Sequence, residues 1–263
     1  MSIDKKQLIK VIEEIASPEL MEPWDNTGMQ ISAGDDEVKK ILVCLDVCDE
    51  TVDEAVKKEC DFIVSHHPMF FDGIKCIDQE TAKGRHIVKL ISNGISVYSS
   101  HTSFDTVFGG NNDRLAEILD LKAVCAPEED PIMRTGELPE AMKLSELCGL
   151  VDKNIMNGKG LSYSGDPDKE VRTVGICTGA GASLMNSAFA LGCDVLITGD
   201  VKYHDFQKAD ELGISIIDAG HYETEILFAE NMGNKLKEAL EGKAEVIPAD
   251  SQKNCLKRYY SMV

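Results

Sequence analysis

One six-residue pattern occurs twice in this chain, and it limits the folds that can hold it. Cys60-Asp61-Phe62-Ile63-Val64-Ser65 returns as Cys193-Asp194-Val195-Leu196-Ile197-Thr198. In each copy a further cysteine, Cys44 or Cys177, stands sixteen residues earlier. Asn93-Gly94-Ile95-Ser96-Val97 also returns, in the same order, as Leu212-Gly213-Ile214-Ser215-Ile216. Three ordered matches point to internal duplication. Short apolar runs in both copies (Lys40–Leu45, Asp61–Val64, Ile95–Tyr98; Val171–Cys177, Asp194–Thr198, Ile214–Asp218) read as buried strands. Segments with a 3.6-residue apolar stripe lie between them: Glu50–Cys60 and Thr81–Ser92, then Ser183–Leu191 and Tyr203–Leu212. A further helix is predicted over Lys5–Ala16, and a long final one over Tyr222–Ala239. Alternation of this kind predicts βαβ units. The expected architecture is α/β: two similar lobes, 1–120 and 121–263, with mostly parallel or mixed sheets. The joining stretch, 121–169, is interrupted by Pro127, Pro131 and Pro139, with a short helix expected within Leu144–Met156.

Composition removes several function classes. No apolar run approaches the ~20 residues that cross a bilayer, and Met1-Ser2-Ile3-Asp4-Lys5-Lys6 lacks a secretory apolar core. The expectation is a cytoplasmic protein without a membrane partner. A formal net charge of −19 disfavours nucleic acid, whose backbone is bound mainly by Lys and Arg. The nine cysteines are scattered through apolar runs without a close C-x-x-C pair, as small buried hydrophobes in a reducing compartment would be.

Chemistry collects after the predicted strands, where open α/β sheets bind ligands. His66 and His67 end one strand; His101 follows another with Asp105 four residues on; His221 follows a third with Glu225 four residues on. At a helix start, i and i+4 share one face, so His221 and Glu225 reach one ion or a close pair. Imidazole and carboxylate are ligands for zinc, iron and manganese alike. Adjacent histidines at a strand end can each serve a different ion, and two ions ~3.5–4 Å apart, bridged by a carboxylate and a water, use all five groups. Each residue also has a plainer reading: a surface histidine, or in Glu225 a helix-start carboxylate favoured by the dipole. The matching arrangement in two copies favours metal.

Several motifs together resemble a known family: Pro23-Trp24-Asp25-Asn26-Thr27-Gly28, Ser65-His66-His67-Pro68, His101-Thr102-Ser103-Phe104-Asp105, Cys177-Thr178-Gly179-Ala180-Gly181, Thr198-Gly199-Asp200-Val201-Lys202-Tyr203-His204-Asp205 and Asp218-Ala219-Gly220-His221-Tyr222-Glu223-Thr224-Glu225. The chain is similar over nearly its whole length to the NIF-three-like dinuclear metal-centre family, whose bacterial members are called GTP cyclohydrolase I type 2 homologues. The resemblance implies that His66, His67, Asp105, His221 and Glu225 bind two divalent ions per chain. It makes His101 either an extra ligand or a partner behind the ligands, and it implies a ring-shaped homohexamer. The tail Asp250-Ser251-Gln252-Lys253-Asn254-Cys255 departs from the Asn-x-Asp-Pro-like ending of many members.

The function expected from this set is dinuclear metal-dependent hydrolysis through a metal-bridging water. The substrate is expected to be a small molecule, and the family name implies GTP ring opening. His101, His204 and Glu223 are the candidate proton carriers. Arg114, Arg134 and Lys202 are the cations near motif regions expected to meet a triphosphate. The alternative is a non-catalytic protein that stores, delivers or senses metal, or binds a partner through it. Gly179-Ala180-Gly181 is read either as an anion-binding loop or as tight strand-to-helix packing. Trp24-Asp25-Asn26 either faces substrate or forms a cap with an aromatic plug. His86 is given no role.

Overall fold

A computed structural model describes residues 1–257 as mixed α/β structure. The chain forms two compact units, each of them discontinuous. The first comprises Met1–Gly110 and Phe228–Lys253; the second comprises Asn111–Leu227 and the tail from Asn254. The expected division at 120/121 therefore differs from the observed one, because the last helix and strand return to the first unit.

The first unit is built on a five-stranded sheet in the order Glu245–Pro248, Lys40–Cys44, Phe62–Ser65, Ser96–Ser99, Gly28–Ile31. The first four strands are parallel and Gly28–Ile31 is antiparallel. Successive side chains of a strand point to opposite faces, so Lys40–Cys44 splits cleanly. Ile41 and Val43 pack with Leu8 and Ile12 of helix Lys5–Ile15 and with Phe228, Met232 and Leu236 of helix Phe228–Leu240. Leu42 and Cys44 pack on the other face with Val52 and Ala55 of helix Asp49–Lys57 and with Ile87 and Leu90 of helix Ala82–Ser92. Helix Lys5–Ile15 starts where the Asp4 side chain accepts from the free amides of Lys6 and Gln7.

The second unit holds a six-stranded sheet in the order Lys122–Cys125, Arg134–Lys143, Glu170–Ile176, Val195–Thr198, Ser215–Asp218, Ser162–Ser164. Its three parallel strands, Glu170–Ile176, Val195–Thr198 and Ser215–Asp218, repeat the central three of the first unit, and each set ends on an antiparallel strand that precedes it in the chain. The likeness reaches single atoms. Asp61 Oδ2 accepts from the amides of Lys39 and Lys40 at 2.7 and 2.9 Å, and Asp194 Oδ2 accepts from those of Arg172 and Thr173, both at 2.9 Å.

Two elements differ from expectation. The joining stretch contains a strand, Arg134–Lys143, despite Pro139; its pairing with Glu170–Ile176 slips between Glu137 and Met142, so the proline falls where no ladder amide is required. The final helix is broken into His221–Glu225 and Phe228–Leu240, and the boundary between units lies at the break. All nine cysteines are free, and five of them are buried. Burial pushes the thiols of Cys60, Cys148 and Cys193 up to about 11, which leaves them protonated and inert. Among the described residues no helix is long and apolar enough to cross a membrane.

Candidate metal centre

In both units the parallel strands run out into loops that carry the histidines. After Phe62–Ser65 the backbone stays tied to its neighbour, with the His66 amide on Cys44 O at 3.0 Å and the His67 amide on Leu45 O at 2.9 Å. This holds both rings close to the sheet. His66 is fully buried, and its Nδ1 lies 3.0 Å from Ser100 O. His67 Nδ1 lies 2.7 Å from Asp46 Oδ1. His101 ends the next strand's loop and stands at the N-cap of the short helix Thr102–Thr106, with Nδ1 2.7 Å from Asp25 Oδ1. One ring nitrogen from each of His66, His67 and His101 lies within 4.8 Å of the others. Asp105, on that short helix, brings Oδ2 to 3.5 Å from His66 Nε2.

Asp25 organises this side. Its second oxygen accepts from the Thr102 amide at 3.1 Å, the Thr102 hydroxyl at 2.6 Å and the Thr27 hydroxyl at 3.0 Å. It thus caps the helix that carries Asp105 while also fixing His101. Burial alone would raise the Asp25 carboxyl, but the hydrogen bonds from His101, Thr102 and Asn26 hold it well below the usual range. The Trp24-Asp25-Asn26 motif is therefore a cap with an aromatic beside it: Trp24 is 62% exposed, and its ring centroid lies 5.8 Å from that of His101. Phe71 lies on the same imidazole at 5.7 Å.

In the second unit, Gly220 (φ 75°) turns the chain into helix His221–Glu225. His221 Nδ1 lies 2.8 Å from Asp200 Oδ2, and its Nε2 lies 2.9 Å from Glu225 Oε2. Gly179 and Gly199 make room for this pair. A Cβ at Gly179 would strike the Glu225 carboxylate, and one at Gly199 would strike the Gly220–His221 backbone. The Gly179 and Gly181 amides donate to Thr224 and Thr198 hydroxyls, so this loop is a packing device and its amides are not turned to an anion.

One pattern runs through all four histidines: Nδ1 faces a carbonyl or carboxylate oxygen. The proton is therefore assigned to Nδ1 and the lone pair to Nε2. Metal-ligating histidines are oriented in this way. In His66 and His221 that Nε2 lone pair then meets a carboxylate oxygen. Two acceptors this close need a cation or a further proton between them. The donor set suits a divalent ion of the zinc, iron or manganese type.

His204 is exposed, its ring 5.2 Å from that of Tyr203. Glu223 is buried and accepts from Asn254 Nδ2 at 2.9 Å and Lys159 Nζ at 3.4 Å. Arg134 is also buried, with both carboxylate oxygens of Asp113 on its Nε at 3.0 Å, so it is not available to a phosphate. Arg114 donates to Glu117, and His86 sits on Asp49. Asp46 and Asp200, partners of His67 and His221, are not among the residues expected from sequence. Both directly follow apolar strand runs, the same signal that singled out His66 and His221.

The profile of Duf34/NIF3 (NGG1p interacting factor 3) matches residues 3–255. This chain belongs to the DUF34/NIF3 family. A DUF34/NIF3 relative from Clostridium acetobutylicum is 36% identical over 247 residues, which cover 91% of this chain and 92% of that protein; it is named GTP cyclohydrolase 1 type 2 homolog. One from Helicobacter pylori, 33% identical across 85% of this chain and 88% of its own, is named GTP cyclohydrolase 1 type 2. The crystal structure of a Staphylococcus aureus hypothetical protein superposes with a TM-score of 0.90 over 98% of this chain and 100% of its own. At 22% identity that likeness speaks for the fold alone.

Proposed function

We propose that this DUF34/NIF3 chain is a divalent-metal-dependent hydrolase. Its paired metal site would use His66, His67, Asp105, His221 and Glu225. The observation that carries this reading is the pairing of a lone-pair Nε2 with a carboxylate oxygen in each unit, behind an Nδ1 already committed to another oxygen.

Bound divalent ions would acidify a water and stabilise negative charge building on a substrate. The chain's own part is to orient the donors and to move a proton. His101 suits the second task, because Asp25 holds its Nδ1 and a ring nitrogen from each of His66 and His67 lies within 4.8 Å of one of its own. Trp24 and Phe71 offer flat apolar surface beside His101, which suits a planar heterocycle. The relatives' names favour a purine nucleotide, with ring opening and release of formate. A second reading, a metal-dependent interaction protein, is favoured by the family description, which names an interacting factor.

Elemental analysis of freshly purified protein should give about two ions per chain; a value of one or less under full loading would refute the paired site. The loaded protein should then release formate from GTP or from another nucleotide in a screen. His101→Ala should keep most of the metal and lose turnover by ~10²–10⁴-fold, the usual share of a general acid or base. Full metal occupancy with no turnover on any nucleotide would favour the interaction protein.

A further inference from the structure

We infer that the C-terminal tail is part of the metal site's support, and that Gln252 is a positioning residue for His67. The inference rests on the metal reading of the previous section. Gln252 Oε1 accepts from the Leu45 amide at 2.7 Å and the Asp46 amide at 3.2 Å, while Gln252 Nε2 donates to Asp46 Oδ2 at 3.1 Å. The other oxygen of the same carboxylate, Oδ1, takes the His67 Nδ1 proton at 2.7 Å. One amide side chain therefore grips both the backbone and the carboxylate of the residue that aims His67. Only a side chain with an acceptor and a donor can do both, and two amide donors at one end with a carboxylate at the other fix which end is which.

The grip is prepared by the fold. Strand Glu245–Pro248 runs parallel to Lys40–Cys44, and the Ala249 amide extends the ladder to Val43 O at 2.8 Å. Buried Glu54 then takes the amides of Asp250 and Ser251 at 3.0 and 2.8 Å, and Lys58 bridges Glu54 and Asp250. The tail is thus held along the strand until Gln252 reaches the point where Leu45 and Asp46 leave the sheet. There its side-chain amide stands in for the next peptide of the ladder. Without it, Asp46 keeps its carboxylate but loses one restraint on its own amide, one on the Leu45 amide before it and one on its side chain.

The test is a Co²⁺ titration of chelator-stripped, full-length protein, read by visible absorption and by competition with a chelator. Asp46→Ala should weaken binding by ~10–100-fold, as loss of the outer partner of a metal-ligating histidine does. Gln252→Met should weaken it by about tenfold, at the low end of that range, and should shift the absorption bands. Gln252→Asn, one methylene too short, should behave alike. Lys253→Met, which removes only the neighbouring ion pair of the tail with Glu50, should bind Co²⁺ as wild type does. The double variant Asp46→Ala/Gln252→Met should bind no more weakly than Asp46→Ala alone, because the two act in series. Wild-type affinity and an unshifted spectrum in Gln252→Met would overturn the inference, as would losses that add in the double variant. A wild-type chain that takes up no Co²⁺ would remove the metal reading itself, and the inference with it.

Discussion

Glu225 holds a carboxylate oxygen 2.9 Å from an imidazole nitrogen whose ring partner already faces Asp200. The contact costs free energy unless a cation or a proton lies between the two acceptors. Glu225→Gln reverses that balance. The amide can donate to His221 Nε2, so the metal-free variant should melt at or above the temperature of the metal-free parent, while its bound metal falls sharply. Thermal melts in chelator, paired with elemental analysis, read both effects; a variant that keeps both ions would remove Glu225 from the ligand set. Such donors were legible in the sequence because they stand just past apolar runs in two matching copies. What holds them was not. Ser100 acts through a backbone carbonyl, which has no residue signature, and Asp46 meets Gln252 only through folding that brings together positions 206 residues apart.

Strands and helices of the two repeats are readable to within about three residues, since each carries its own periodicity. The edges are not. Gly28–Ile31, Ser162–Ser164 and Glu245–Pro248 are short, and they become strands because a neighbour offers an unpaired ladder. Glu245–Pro248 and the tail beyond it depend on Glu54, whose carboxyl lies at about 2 in the fold against 4.5 unperturbed. Burial alone would raise it; the Asp250 amide, Lys58 and Ser251 together outweigh that. A carboxyl lowered by folding stabilises the folded state above its unfolded value, and the contribution fades as pH falls through the folded one. The tail contact should therefore be fully present above pH 4.5 and decline toward pH 2. Glu54→Gln should cost on the order of 2 kcal/mol at pH 7, a typical worth for hydrogen bonds to a charged group. It should cost much less at pH 3. Equal losses at the two pH values would show that the Glu54 charge is not what holds the tail.

For the molecule as a whole, the family resemblance implies six chains in a ring. A charge of −19 per chain opposes close association, so a ring must turn its acidic surface outward or screen it. Light scattering at moderate salt should report a hexamer, and lowering the salt should weaken it as screening is withdrawn. A monomer at all salt concentrations would remove the ring. The order of strands carries a different consequence. Sheet Glu245–Pro248, Lys40–Cys44, Phe62–Ser65, Ser96–Ser99, Gly28–Ile31 draws one edge from a segment that follows the whole of Asn111–Leu227, as does the core under helix Phe228–Leu240. On the ribosome, the part of the protein translated first is therefore completed last. The stretch Asn111–Leu227 emerges with all six strands of its own sheet while the earlier segment still waits with one strand edge and one face uncovered. Nascent chains that stall before Phe228 should consequently present that apolar face to chaperones, even though every residue bearing a metal donor has already been made.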